Sequence, residues 1–296
     1  MLEFYQNLPE KLNPVFFSVE SLTIYWYSIM YLVGFMVVSL LLYWRVSKKE
    51  TDIIWNDIFD LLLNSFLGVI IGGRIGYVIF YNLAYFLTNP IEIIFPFAEN
   101  GQFIGIYGMS YHGGVLGFIL VIYLFCKKRK LNFWKTTDFI LPAIPAGYFF
   151  GRVGNFLNSE LYGRVTSGRW GMNFGGGVLR HPSQLYEAFF EGIVLFLILW
   201  LARNKFSKKA GMISGLYLLG YGIFRFGIEF FREPDVQLGF FFNYLTLGQI
   251  LSIIMMGGGI YLISTGLTHL SIIIVSYVSK KYHFFSLFAS HGSSKK

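Results

Sequence analysis

One cysteine, Cys126, stands in 296 residues, which excludes a disulfide framework and any C-x-x-C metal or redox motif. Charge is scarce as well. Only 14% of the side chains are Asp, Glu, Lys or Arg, against about a quarter in a soluble domain, so the chain lacks the polar residues to clothe a soluble globule of its size. The first twenty residues carry Glu3, Glu10, Lys11 and Glu20 with two prolines. No cationic leader precedes a short apolar stretch there, so a cleaved signal peptide is not expected. H-E-x-x-H and G-x-S-x-G are missing, and the histidines outside the third apolar run, His181, His269, His283 and His291, are scattered. Neither a repeat of 20–50 residues nor a pair of inverted halves is visible, which weighs against a transporter built from duplicated bundles.

What is abundant is apolar. Hydrophobic residues make up 55% and aromatics 20%, and the mean hydropathy is +0.56. The net charge of +8 lies in short clusters between long apolar runs rather than in a stripe, so a nucleic-acid partner is not expected. Residues 22–44 are 23 consecutive uncharged residues, enough for a helix to cross the hydrocarbon core. Similar runs follow at about 57–81, 103–126, 136–156, 185–202, 210–231 and 244–267. The expected fold is an all-α integral membrane protein of seven transmembrane helices. Residues 1–268 form a single transmembrane domain, and 269–296 form a cytoplasmic or interfacial tail with no assigned role. The apolar patch Ser271 to Val278 is too short to cross.

Loop charge sets the orientation. Arg45, Lys48 and Lys49 follow the first run. Lys127 to Lys130 and Lys135 follow the third, and Arg203, Lys205, Lys208 and Lys209 the fifth. The segment 82–102 has Glu92 and Glu99 and no Lys or Arg. Alternation of this kind places the amino terminus outside and the carboxyl terminus inside, the parity that seven spans require. The connection 157–184, rich in glycine and containing Trp170, Met172 and Phe174, is long for a compact protein and is expected to form a small external cap between helices 4 and 5.

Charged residues inside apolar helices cost about 2.5–3.5 kcal/mol each on insertion scales and need an explanation. Arg74 lies late in the second run, His112 about ten residues into the third, Arg152 and Asn155 at the outer end of the fourth. Arg225 and Glu229 share a face of the sixth, and Tyr25 and Tyr27 open the first. Singly, each has a plain structural account: an intrahelical ion pair, a snorkelling anchor, a hydrogen-bonded histidine, or glycines for close packing. Snorkelling anchors, however, do not account for a histidine and an ion pair at one level. On the topology above, five helices bring polar side chains to one depth in the outer half of the membrane. Guanidinium forks match phosphate oxygens and stay charged at every relevant pH, and an imidazole takes a proton near neutrality. The combination points to phospholipid chemistry. A transporter or flippase for an anionic lipid or metabolite would use the same arginines as a transient ring, and a seven-helix receptor or scaffold would leave the buried histidine and paired charges unexplained.

The stretch Gly151-Arg152-Val153-Gly154-Asn155-Phe156-Leu157-Asn158-Ser159-Glu160-Leu161-Tyr162-Gly163 resembles the signature of the prolipoprotein diacylglyceryl transferase family. Gly72–Tyr77, Ser110–Gly114, Arg180–Glu187, Phe224-Arg225 through Asp235, and the pair Trp26-Tyr27 resemble further blocks of it. The likeness runs in order from about residue 13 to residue 263. The loop before Arg180 is short for the family, and the tail beyond residue 264 matches nothing in it. The resemblance implies an enzyme of the bacterial inner membrane with its active site toward the periplasm. It would move the diacylglyceryl group of phosphatidylglycerol onto the lipobox cysteine of a prolipoprotein signal peptide, release glycerol 1-phosphate, and need no metal or cofactor. Its partners would be phosphatidylglycerol, prolipoproteins and the surrounding membrane lipids. On this reading His112 is the general base, Arg152 and Arg225 stabilise the departing phosphate, and Glu229 aims Arg225. Tyr27, Arg74, Asn155, Glu160, Gly163 and Tyr221 bind the headgroup, and Glu187 helps hold the cap.

Overall fold

A computed structural model describes residues 2–19, 22–95, 108–233 and 244–266. Short helices α1 (Leu2–Gln6) and α2 (Leu8–Lys11) lead into a hairpin of β1 (Val15–Val19) and β2 (Leu22–Tyr25). Then come α3 (Trp26–Ser47), α4 (Trp55–Tyr81), α5 (Leu83–Thr88) and α6 (Tyr111–Arg129), followed by α7 (Phe133–Ile140) and α8 (Ile144–Leu157). A second hairpin, β3 (Met172–Asn173) and β4 (Leu179–Arg180), precedes α9 (Ser183–Ala202), α10 (Met212–Ile228) and α11 (Leu247–Gly266). The chain is mostly helical. Helices α3, α4, α9 and α11 are long and apolar enough to cross a membrane, and α10 is apolar but shorter.

Three expectations change. The first run opens as a strand, because Val15–Val19 offers β2 an antiparallel partner with Val15 opposite Tyr25. β-branched Val15, Val19, Thr23 and Ile24 favour that pairing, so the helix starts at Trp26, and the two hairpins qualify the all-α expectation. The fourth run is broken at 141–143. Pro142 has no N–H and biases Leu141 away from helix, while Pro145 is tolerated in the first turn of α8. Third, α6 begins at Tyr111, where the Ser110 side chain accepts the Gly113 N–H at 3.3 Å, a Ser N-cap. His112 thus stands in the first turn of its helix rather than ten residues into it. Residues 103–107, and the tail with its 271–278 patch, lie outside the described residues.

The described residues fall into two compact units, one within 1–38 and 137–296, the other within 39–136. In the second unit α4 and α6 cross at glycines. A Cβ on Gly72 would lie 2.4 Å from the Gly113 carbonyl oxygen, and one on Gly117 2.1 Å from that of Gly68, so the backbones touch as at small-xxx-small membrane crossings. Leu61, Ile122 and Cys126 are buried in this unit. Arg129 Nη2 pairs with Asp57 at 2.6 Å. Lys130 holds the left-handed conformation that ends α6 (φ 55°), and Leu131 N–H donates to Cys126 O at 2.8 Å, a Schellman-type closure.

In the first unit, Leu195, Leu199, Ile213 and Tyr221 form a core packed by Tyr148, Leu216, Tyr217 and Phe224. The N-terminus of α10 is capped from α7: Asp138 accepts N–H groups of Gly211 and Ser214, both at 2.7 Å, which satisfies donors the helix cannot. The middle of α9 is a π turn, Ala188–Val194, a feature that recurs at functional sites. Burial is inverted relative to a soluble protein. Leu32, Met36 and Leu40 form an exposed apolar stripe on α3, whereas Gln184, Glu187 and Glu191 are buried.

The 157–184 connection is folded. Val165 bridges Arg180, and Gly163 bridges Arg232. Met172 is buried, Phe174 stacks on Tyr162, and Trp170 is exposed. Asn173 Nδ2 donates to Glu10 at 3.0 Å, tying β3 to α2. Burial pushes the His181 imidazole below the usual histidine range.

Candidate active site

The first unit assembles a charged centre from α8, α9, α10 and the turn after it. At its middle is Glu187, fully buried. Arg152 Nε on α8 meets Glu187 Oε2 at 2.8 Å. Arg225 Nη1 on α10 meets the same oxygen at 3.2 Å, and Arg232 Nη1 meets Oε1 at 3.4 Å. Arg225 Nη2 also reaches Glu229 Oε1, one turn on, at 2.6 Å. Glu229 is fixed in turn by Thr246 Oγ1, which donates to it at 2.8 Å. Two guanidinium groups from separate helices thus share one carboxylate oxygen. Removing that carboxylate would leave buried charges without compensation, a loss of about 3–5 kcal/mol for pairs of this kind.

From Arg152 a polar chain runs into the 158–163 loop. Arg152 Nη1 donates to Asn155 Oδ1 at 3.2 Å, and Asn155 Nδ2 donates to Glu160 Oε1 at 3.0 Å. Glu160 is flanked by Ser159 (φ 53°) and Leu161 (φ 57°), two left-handed residues that are not glycine. Such backbone persists only where its surroundings hold it, and it clusters at functional sites. Here Gln184 Nε2, buried on α9, donates to Glu160 O at 2.6 Å, and Ser183 Oγ donates to Leu161 O at 3.0 Å.

The other expected residues divide. Tyr27 is half-buried, donating its hydroxyl to Tyr31 at 3.0 Å and its N–H to Asn158 Oδ1 at 3.3 Å, so it adjoins the same loop. Tyr221 is buried, edge-on to Tyr148 at 6.1 Å. Gly163 is a packing position: a Cβ there would lie 2.2 Å from Phe231 O, and its N–H donates to His181 O at 2.8 Å. Glu187, expected to help hold the cap, anchors three arginines. Arg74, in the other unit, directs its guanidinium to backbone carbonyls: Nε to Ile93 at 2.8 Å and Nη2 to Glu92 at 2.6 Å, with Phe86 beneath at 4.9 Å. It braces the 83–93 segment against α4. His112 is half-buried in the first turn of α6.

Several residues of the centre escaped the sequence reading. Glu191, a carboxylate inside an apolar run, carried the same intramembrane-charge signal as Arg74. Arg232 sat in a turn of mixed charge, and Tyr148 and Gln184 look unremarkable in sequence. Helix α9, which supplies the central carboxylate, is not among the five runs whose polar side chains share one level in the sequence.

A helical membrane protein with a buried centre of arginines and carboxylates is the class these features define. Comparison with known proteins narrows it. The sequence profile of the family described as prolipoprotein diacylglyceryl transferase matches residues 14–265. The chain is 49% identical over 269 residues to the phosphatidylglycerol--prolipoprotein diacylglyceryl transferase of Chlorobaculum tepidum, covering 88% of this chain and 93% of that protein. It is 47% identical over 256 residues to the protein of that name from Rickettsia bellii, with 85% and 94% covered. The same name belongs to a Pseudoalteromonas translucida relative, 46% identical over 255 residues, with 85% and 92% covered. The chain belongs to the prolipoprotein diacylglyceryl transferase family and is a transferase; the transporter reading gains no support from these relatives.

Proposed function

We propose that the chain transfers the diacylglyceryl group of phosphatidylglycerol to the lipobox cysteine of prolipoproteins in the bacterial inner membrane. The active site faces the periplasm, the amino terminus lies outside and the carboxyl terminus inside, and seven segments cross the bilayer. The alternating basic loops support this orientation. Residues 1–268 act as one catalytic domain, with the 157–184 connection as its periplasmic cap.

The observation that carries the reading is the convergence of Arg152 and Arg225 on one buried carboxylate oxygen. Arg225 Nη1 is buried and, among the described residues, has no acceptor in hydrogen-bonding geometry, since its approach to Glu187 is off-axis. A phosphate oxygen in line with that N–H would give it the aligned acceptor that Glu187 does not. Glu187 holds both guanidinium groups in place before any anion arrives, and preorganised charge of this kind is the largest single contribution in many enzymes.

In the reaction, His112 takes the proton of the substrate thiol, whose ordinary pKa is about 8.5. The thiolate sulfur attacks the glyceryl CH₂ attached to the phosphate oxygen. The C–S bond forms as the C–O bond breaks, and its electron pair stays on the departing glycerol 1-phosphate. Arg152 and Arg225 meet the charge that develops there. Tyr27, Asn155, Glu160 and Tyr221 bind around the headgroup. Gly163 holds the cap closed beside it, and Glu229 aims Arg225. Arg74 contributes by fixing the external segment it braces.

The test is direct. Purified protein is mixed with phosphatidylglycerol and a lipobox peptide, and the peptide is weighed. The expected result is a mass gain of one diacylglyceryl group, absent when the cysteine is replaced by serine. Movement of labelled lipid across the bilayer with no thioether would overturn the reading in favour of a transporter.

A further inference from the structure

Glu191 takes no part in the mechanism above, yet it is 1% exposed and lies four residues beyond Glu187 on α9. Its Oε2 is hydrogen-bonded to the Tyr148 hydroxyl, and its Oε1 is buried with no hydrogen-bond partner among the described residues. The same hydroxyl lies 3.3 Å from Glu187 Oε2. None of the ion pairs among the described residues includes Glu191, whereas Glu187 has three. A phenol has one proton to give. Were Glu191 ionised, that proton would serve one carboxylate only, the other contact would set oxygen lone pairs against each other, and Oε1 would be a buried ionic oxygen with no hydrogen bond among the described residues. Burial of that kind is strongly unfavourable. One arrangement meets every contact: a proton on Glu191 Oε2 is donated to the Tyr148 oxygen, and the Tyr148 O–H is donated to Glu187 Oε2. Glu191 Oε1 is then the carbonyl oxygen of a neutral acid, which tolerates burial far better.

We infer that Glu191 is a protonated positioning residue that acts through Tyr148 on Glu187, and so sets the two arginines that Glu187 holds. The groups facing it are Tyr148 on α8, Glu187 on its own helix and, beyond them, Arg152, Arg225 and Tyr221. The consequence for substrate rests on the proposed transferase reading. With Glu191 neutral, the ion pairs of the centre set three guanidinium groups (Arg152, Arg225, Arg232) against two carboxylates (Glu187, Glu229). One positive charge remains, matching the single negative charge of a phosphodiester. Glu160 stands one link further out, behind Asn155. An ionised Glu191 would cancel that charge.

Infrared difference spectra of the full-length protein in lipid nanodiscs, wild type against Glu191→Gln at neutral pH and without substrate, test the protonation. A carboxylic-acid C=O band, sensitive to deuterium and lost in the variant, is expected. In Tyr148→Phe the band is expected to persist at higher frequency, because its acceptor is gone. Loss of carboxylate bands in Glu191→Gln instead would overturn the inference. A transferase assay tests the positioning. Glu191→Leu is expected to lower kcat about tenfold, the scale of one unsatisfied buried polar group, and Glu191→Gln to restore most of that loss. Gln failing as Leu does would mean that the charge of Glu191 matters, and would overturn the inference. If the wild-type protein transfers nothing, the infrared result still stands or falls alone, and only the transferase reading is lost.

Discussion

At the scale of single residues, the centre depends on the fork of arginine rather than on its charge alone. Arg152 uses Nε for Glu187 and Nη1 for Asn155, two directions that a lysine ammonium cannot serve from one stem. Arg152→Lys is therefore expected to fold and to lose roughly 10²–10³ in kcat, the scale for one transition-state donor, measured by mass of the lipidated peptide. His112 stands in the first turn of α6. His112→Gln keeps hydrogen bonding and removes basicity, so transfer is expected to fall about 10²–10⁴-fold. A variant of near-normal rate would remove the base assignment. The arginines, the histidine and Glu229 were legible as residues because charge inside an apolar run is conspicuous. Glu187 as the shared anchor of Arg152, Arg225 and Arg232 was not, since nothing in a sequence says which cation a carboxylate will meet.

At the scale of elements, glycine decides how closely helices pack. A Cβ on Gly117 would lie 2.1 Å from the Gly68 carbonyl, backbone against backbone with nothing flexible to yield, whereas one on Gly114 would meet only ordinary contacts at 3.4 Å from Val69. Gly117→Ala is expected to lower stability by about 1–3 kcal/mol, as overpacking does, while Gly114→Ala leaves it nearly unchanged. Thermal unfolding of both in the same lipid distinguishes them. The long apolar runs were legible as helical, whereas the break between α7 and α8 was read through as a single run, 136–156, although Pro142 and Pro145 stand in it. The start of α3 was not legible, because Thr23, Ile24 and Tyr25 continue the apolar run and are drawn into a strand only when Val15–Val19 presents a partner. The π turn of α9 has no composition signal at all.

At the scale of the whole molecule, the apolar stripe on α3 and the buried charges describe a protein whose solvent is lipid. The proposed orientation rests on loop charge. A cysteine placed at Lys128, in a chain whose Cys126 is replaced by serine, is expected to react with a membrane-impermeant maleimide only in inverted vesicles. One placed at Asn89 is expected to react only from the outside of intact cells stripped of their outer layer. The reverse pattern would invert the proposed topology.

Composition, run length and the spacing of a few polar residues were enough by themselves to determine a membrane-embedded helical chain, its family likeness and most of its charged candidates. These depend on local properties: the cost of a charge in hydrocarbon and the length of helix that spans it. Which candidates join was decided only by tertiary structure. Arg152 and Arg225 meet on Glu187 although they stand far apart in the chain, Arg74 reaches the carbonyls of the segment that follows its own helix, and Glu191 enters through Tyr148. Hydrogen-bond directions and close backbone crossings make those choices, and both exist only once the helices have packed.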